Sequence, residues 1–310
     1  MKKLAPVLLL ALLTLVSFAK DKTPKPSAAD KEAAAEAAAT SAALEKQFKF
    51  QQGKIDLKQG MATLNVPANF RFLDGPQAKK VLTEVWGNPP SEADNVLGML
   101  FPADKPFSAD DSWGVVITYV DDGHVDDKDA ASIDYAAMMK DIKESEKEGN
   151  AERKKAGYEA AYIIGWAEQP RYDQAAKKLY WAKELKFGEA AENTLNYDIR
   201  VLGRKGVLSL NAVAGIEQMK GVARDMQAVL GFVEFNQGHR YSDFNAGTDK
   251  LAAYGIGALV AGTLATKAGL FKGLIALLLV GKKFVVVGAI ALVAFIKKLF
   301  SGRSSNDEAA

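Results

Sequence analysis

Apolar residues divide the chain into an apolar start, a polar linker, a long mixed stretch and an apolar end. The start is a 13-residue run, 4–16, behind Met1-Lys2-Lys3 and ahead of Ser17-Phe18-Ala19. A basic beginning, a short apolar run and small residues before a cleavage point predict a secretory signal over 1–19. The run is shorter than the roughly 20 residues that a membrane helix needs. Residues 20–49 follow as a linker. Pro24 and Pro26 favour an extended start, and the Ala-rich stretch 28–48 predicts a spacer helix. Leu44 and Phe48 share a face of it. The helix has little else to bury, so it reads as a spacer or a weak oligomer contact.

Between 50 and 245 the pattern is mixed. Residues 54–57 and 62–66 alternate around Lys58-Gln59-Gly60, which predicts a hairpin. Residues 67–74 lead into a helix over 75–86, ended by Gly87-Asn88-Pro89-Pro90. The β-branched run 113–120 predicts a buried strand. A helix over 130–148 has Ile133, Ala137, Met138 and Ile142 on its apolar face. Residues 162–167, 178–185, 194–202 and 206–214 read as strands, with 203–206 as the last turn. A closing helix over 216–230 precedes a short strand or extended exit at 232–235. Short turns between consecutive strands imply an antiparallel sheet. The predicted class is α+β: one domain at 50–245, an antiparallel sheet covered by helices, with an N-terminal signal and spacer helix and a C-terminal hydrophobic helical tail.

That tail forms the expected anchor region, 246–300, before a polar end at 301–310. Residues 251–271 carry one charge, Lys267. As a helix they reach about 31 Å, enough for a hydrocarbon core of about 30 Å. A span here, with the signal, puts the main domain on the extracytoplasmic side of a bacterial inner membrane. Lys267 and Lys272 then fall at the cytoplasmic end. Small residues four apart, Gly257 with Ala261 and Ala258 with Gly262, leave a homo-oligomer open. Residues 273–298 are apolar except for Lys282, Lys283, Lys297 and Lys298. In a second span the two central lysines cost about 5–7 kcal/mol, which the neighbouring aliphatic residues can largely offset. At about 100° per residue, Lys272, Lys282, Lys283, Lys297 and Lys298 share a sector of about 160°. That suits a basic face lying on lipid headgroups, or a second span lining an assembly.

Charge sharpens this division. Residues 251–310 hold seven Lys/Arg and two Asp/Glu, a net of +5; the whole chain is +2, so residues 1–250 carry −3. The basic tail suits membrane lipid as a partner, and the acidic body argues against nucleic acid. Absence of cysteine excludes disulfides, thiolate metal sites and Cys nucleophiles; two histidines exclude a multi-His site within one chain. No phosphate-binding glycine motif stands in a strand–loop–helix context, and no cofactor is implied.

Candidate chemistry centres on two stretches. Asp121, Asp122, Asp126, Asp127 and Asp129 offer carboxylates to a cation, although Gly123 does not stand where a calcium loop needs it. The alternative is a turn at Asp122-Gly123 followed by an acidic helix start. Trp166, Arg171, Tyr172 and Trp181 can line a binding groove. Alternatively, the tryptophans pack in the core, with Pro170 and its neighbours as the turn. His239 near Ser242 and Asp243 reads as part of a solvated connector rather than a nucleophile pair.

Longer strings carry a resemblance. Gly165-Trp166-Ala167, Pro170-Arg171-Tyr172-Asp173, Leu179-Tyr180-Trp181-Ala182-Lys183-Glu184-Leu185, Leu195-Asn196-Tyr197-Asp198-Ile199-Arg200-Val201-Leu202-Gly203-Arg204 and Gly206-Val207-Leu208-Ser209-Leu210-Asn211 resemble the core of an uncharacterised bacterial family. Its members are membrane-anchored proteins labelled as predicted regulators of amylopullulanase. The resemblance runs from about residue 53 into the tail. It implies a signal-bearing, membrane-anchored protein and supplies no catalytic residues. The order of elements also resembles the Mog1 and PsbP-type sandwich, whose members mostly serve as binding or assembly factors. The leading expectation is a non-enzymatic extracytoplasmic protein, anchored in the membrane, that binds a protein or envelope partner. Two alternatives stand beside it. One is an envelope hydrolase using Asp121, Asp126, Asp127 or Glu168. The other is a membrane-stress or membrane-shaping protein acting through the basic tail.

Overall fold

Lys58, Gln59 and Gly60 all take left-handed backbone, with φ of 44°, 58° and 82°, and reverse the chain between β1 (Gly53–Leu57) and β2 (Ala62–Val66). The expected hairpin forms, with Gly53 opposite Val66 and Leu57 opposite Ala62. The computed structural model describes residues 41–262 except 89, 110 and 156. In chain order, β3 (Phe70–Asp74) leads into α1 (Gly75–Lys80), capped by Asp74, whose Oδ1 accepts from Gln77 N at 3.1 Å. A π-helical turn over Val81–Val85 follows, then β4 (Val96–Pro102), β5 (Gly114–Val120) and β6 (His124–Asp126). Next come α2 (Tyr135–Lys155), β7 (Ala161–Asp173), β8 (Lys178–Phe187), β9 (Thr194–Leu202) and β10 (Val207–Gly215). The described chain closes with α3 (Met219–Phe232), β11 (Val233–Phe235), β12 (Leu251–Gly255) and α4 (Ile256–Ala261).

Seven strands form one antiparallel sheet in the order β3-β4-β5-β10-β9-β8-β7. A second sheet, β1-β2-β11, packs with α3 on one face of it. The alternation within β9 shows why. Leu195, Tyr197, Ile199 and Val201 point into that main core with Leu208, Leu210 and Ala212 of β10. Val222, Met226 and Val229 of α3 and Leu64 of β2 meet them. The opposite face carries three smaller apolar clusters, the smallest made of Ala161, Leu185 and Phe187. One joins Leu73, Met99, Phe101 and Val116 to Val81 and Leu82. Another joins Leu179, Trp181, Leu202 and Val207 to Val125 and to Ile256, Leu259 and Val260 of α4. The α+β class and its antiparallel sheet are as expected.

Several boundaries differ for physical reasons. β4 has no polar/apolar alternation because nearly all its residues are buried, and it went unread. β7 runs through Pro170 instead of turning there. It is an edge strand, and a bulge between Glu168 and Arg171 accommodates the missing N–H. The long helix starts at Tyr135 rather than at 130, because Asp134 Oδ1 accepts from Ala136 N and Ala137 N, each at 3.0 Å. The end of the spacer stretch is not free. Leu44 and Phe48 pack in the cluster around Phe101, and Glu45 pairs with Arg71.

The largest difference falls at the expected span. Residues 251–261 are not one continuous helix: Leu251–Gly255 pairs in parallel with β6, and α4 stops after six residues at Gly262, with φ 72°. Gly255 explains the break. A Cβ there would lie 2.7 Å from Asp129 Oδ2, whose carboxylate receives Ile256 N at 3.0 Å and Gly257 N at 2.9 Å. The folded domain therefore continues to Gly262, beyond the expected boundary at 245. Among the described residues no helix is long and apolar enough to cross a membrane. The signal at 1–19, most of the spacer and the remaining tail, with Lys272, Lys282, Lys283, Lys297 and Lys298, lie outside the described residues.

Candidate functional site

The alternation that sends Tyr197 and Ile199 into the main core sends Asn196, Asp198 and Arg200 to the opposite face. Cross-strand register completes a row. Lys183 lies opposite Asn196, Trp181 opposite Asp198, Asp198 opposite Asn211, and Arg200 opposite Ser209. Thr118 of β5 faces Ser209. All of these are buried: Asp198 is 0% exposed, Asn196 1%, Arg200 2% and Lys183 4%. Charged residues reach such burial only when paired or serving a ligand.

Pairing here is incomplete. Arg200 Nη1 lies 2.8 Å from Asp198 Oδ1, yet neither carboxylate oxygen has an aligned hydrogen-bond donor. Asn196 Nδ2 donates to Asn211 Oδ1 at 3.2 Å, which leaves Asn196 Oδ1 and Asn211 Nδ2 unpartnered. Thr194 Oγ1 and Trp181 Nε1 are also buried without a partner. A buried polar atom left this way costs about 1–3 kcal/mol, so the row is expensive to maintain. The guanidinium of Arg200 sits 5.1 Å from the Trp181 ring, and Lys183 Nζ lies 5.8 Å from Trp181 and 5.9 Å from Trp166. Burial pushes the Lys183 pKa below its ordinary value; Asp198 opposes that shift and Arg200 reinforces it. The row thus offers cations, an anion and open donors and acceptors beside aromatic walls.

The acidic loop has a different arrangement. Its carboxylates go to separate partners, half of them on a C-terminal strap, residues 236–262, that crosses the same face of the sheet. Tyr254 Oη donates to Asp122 at 3.2 Å, Tyr241 Oη to Asp127 at 3.2 Å, and Asp129 receives the start of α4. Asp127 also accepts from Tyr172 Oη at 2.6 Å and Lys177 Nζ at 2.7 Å. Burial pulls its pKa up, but the bonds from Lys177 and Tyr172 outweigh burial and hold it below the ordinary value. Asp126 pairs with its neighbour Lys128, and Asp121 lies 4.0 Å from Lys58. Among the described residues no three acidic or histidine side chains gather to hold a metal ion. His124, between these aspartates, is buried by the rings of Tyr241 and Phe244, 4.1 and 4.0 Å away. Burial lowers its pKa, against hydrogen bonds to the backbone of Arg204 and Gly203.

Of the groove residues expected from sequence, Trp166, Tyr172 and Trp181 come together in the cluster under the strap, while Arg171 is exposed. Trp166 Nε1 donates to Tyr135 O at 3.0 Å. Glu168 lies opposite Ala182 and bonds Tyr197, both in the main core, so it is across the sheet from Asp127. Lys183, Asn196, Asp198, Arg200 and Asn211 escaped sequence reasoning. Alternating polar residues in an antiparallel strand normally mark a solvated face. Nothing in the order of residues says that this face is covered.

A family model matches residues 49–293. The chain belongs to DUF2167, a family of proteins of unknown function. The DUF2167 match takes in the whole buried row and the strap. No protein of curated function matches the chain. Among solved structures, the chain is similar to cyanobacterial PsbP (CyanoP) from Synechocystis, at 10% identity and a TM-score of 0.35, covering 60% of this chain and 92% of that one. It is also similar to the Ran-binding protein Mog1p of Saccharomyces cerevisiae, at 12% identity and a TM-score of 0.34, covering 64% and 100%.

Proposed function

We propose that this DUF2167 protein is a non-enzymatic binding protein, and that it receives a small polar ligand on the sheet face formed by β8, β9 and β10. One observation carries the reading: Lys183, Asp198 and Arg200 are buried together, with open hydrogen-bonding atoms on Asp198, Asn196, Asn211, Thr194 and Trp181. Buried polar atoms in a folded protein are nearly always satisfied, by protein, water or ligand. The signal and the basic apolar tail support the second half of the proposal, that the domain is held by membrane lipid on the extracytoplasmic side of the inner membrane. A regulatory role of the kind named in the amylopullulanase label is compatible with a ligand-binding domain. Glu168 and Asp127 sit across the sheet from each other, which disfavours the two-carboxylate hydrolase that would need them in one cleft.

Thermal unfolding of the full chain in detergent, against a panel of small carboxylates, amines, sugars and phosphates, tests the reading. At a ligand concentration 100-fold above Kd, binding stabilises by about 2.7 kcal/mol, a readily measured shift in Tm. The shift is expected in the native protein and lost in Lys183→Met and Asp198→Asn. A panel without any shift would remove the proposal.

A further inference from the structure

Resting on that reading of the row as a ligand site, we infer that its ligand is a small organic monoanion that also carries a hydrogen-bond donor, a hydroxycarboxylate being the simplest case. The argument starts from charge. The row holds two cations, Lys183 and Arg200, and one anion, Asp198. Arg200 lies against Asp198 at 2.8 Å. The charged groups acting on Lys183 are Asp198 and Arg200, so a protonated Lys183 leaves the row with one uncompensated cation. Of the nearby carboxylates, Glu184 accepts from Asn193 at 2.5 Å, Glu168 bonds Tyr197 across the sheet, and Asp122 bonds Tyr254. None of them is part of the row. An uncompensated charge is costly in a buried place, and one negative charge on the ligand removes the imbalance.

Open hydrogen bonds supply the second requirement. Both oxygens of Asp198 accept and cannot donate, so they call for a donor on the ligand. The amides of Asn196 and Asn211 bond one another, and that leaves one acceptor and one donor whichever way the pair is turned. Trp181 Nε1 adds a donor that a carboxylate can use. The Trp166 and Trp181 rings beside Lys183 are suited to the carbon skeleton of the ligand. A simple carboxylate leaves Asp198 without a donor. A neutral polyol leaves Lys183 uncompensated. A cation adds to the imbalance. A hydroxycarboxylate answers all three, with the carboxylate toward Lys183 and the hydroxyl toward Asp198.

The test is calorimetric titration of the full chain in detergent with four probes of one size: lactate, propanoate, 1,2-propanediol and alanine. Lactate is expected to bind at least about tenfold more tightly than each of the others. Asp198→Asn should erase the preference for lactate over propanoate. Lys183→Met should erase that for lactate over the diol. Circular dichroism checks the fold of both variants, and the selectivity of the native chain stands without them. Equal binding of propanoate would overturn the donor requirement, equal binding of the diol the charge requirement, and tighter binding of alanine would replace the class with a zwitterion. If none of the four binds while another compound of the wider panel does, this class is wrong and the site reading stands. If nothing in the panel binds, both fall.

Discussion

Lys183 and Asp198 share one buried row on neighbouring strands, yet removing each should have opposite consequences for stability. Asp198→Ala leaves Lys183 and Arg200 buried without an anion, a change of the kind that costs about 3–5 kcal/mol. Lys183→Met leaves the Asp198–Arg200 pair in place and puts an apolar chain between Trp166 and Trp181. Such replacements are often neutral or stabilising. Urea denaturation of the two variants should therefore move the midpoint down for Asp198→Ala and leave it level or raise it for Lys183→Met. The pH dependence has a definite sign. Burial depresses the folded pKa of Lys183 below 10.5, so in the interval beneath 10.5 the unfolded chain binds more protons and stability rises with pH. Lys183→Met should flatten that rise, and an unchanged slope would show that Lys183 does not titrate on unfolding. A residue that lowers stability yet stays buried is the pattern expected of a binding group. None of this could be read from Asn196-Tyr197-Asp198-Ile199-Arg200, because the same alternation describes a strand with one wet face.

Among the elements, the strap turns the acidic loop from a cation candidate into a clasp. Sequence inspection found the loop because five aspartates in nine residues are conspicuous, but the partners of Asp122, Asp127 and Asp129 are 45 to 132 residues away and left no local trace. β9 was legible to the residue, since alternation and the turn at 203–206 bound it on the page. β12 was not, because Leu-Ala-Ala-Tyr-Gly gains its strand pairing from β6 across the fold. The strap is held at its centre by Asp249. Its carboxylate takes Arg204 Nε at 2.7 Å and Nη2 at 3.0 Å, and Asn245 N at 2.8 Å. The bond from Arg204, then that from Asn245, lower its pKa from 3.8 to about 2. The stabilisation is therefore whole above pH 3.8 and is lost as pH falls through about 2. Hydrogen exchange of residues 241–262, corrected for intrinsic rates, should quicken over that interval. In Asp249→Asn it should be fast throughout, with no acid step. Identical profiles for the two proteins would remove Asp249 as the holding group.

For the whole molecule, the position of Gly262 decides where the proposed anchor can begin. Ile256, Leu259 and Val260 of the strap are buried against Trp181 and its neighbours. Full burial of each is worth about 1.5–3 kcal/mol. Losing all three approaches the entire stability of an ordinary domain, about 5–15 kcal/mol. A chain cut after Asp249 should thus fail to fold, while one cut after Gly262 folds; circular dichroism and thermal unfolding of the two compare them directly. If Gly262 ends the domain, the residues between it and Phe271 are too few to cross by themselves, since a helix rises about 1.5 Å per residue. Under the proposed anchoring, the crossing is expected in the stretch that contains Lys282 and Lys283, with Lys297, Lys298 and Arg303 on its far side. Those flanking charges favour a cytoplasmic end. Alkaline phosphatase, active only outside the cytoplasm, fused after Gly262 should be active, and fused at the C-terminus inactive. Activity at both positions would mean a tail that lies along the outer surface, its lysines on the headgroups. Activity at neither would place the domain in the cytoplasm and overturn the export reading, leaving the buried row to be judged by ligand binding alone.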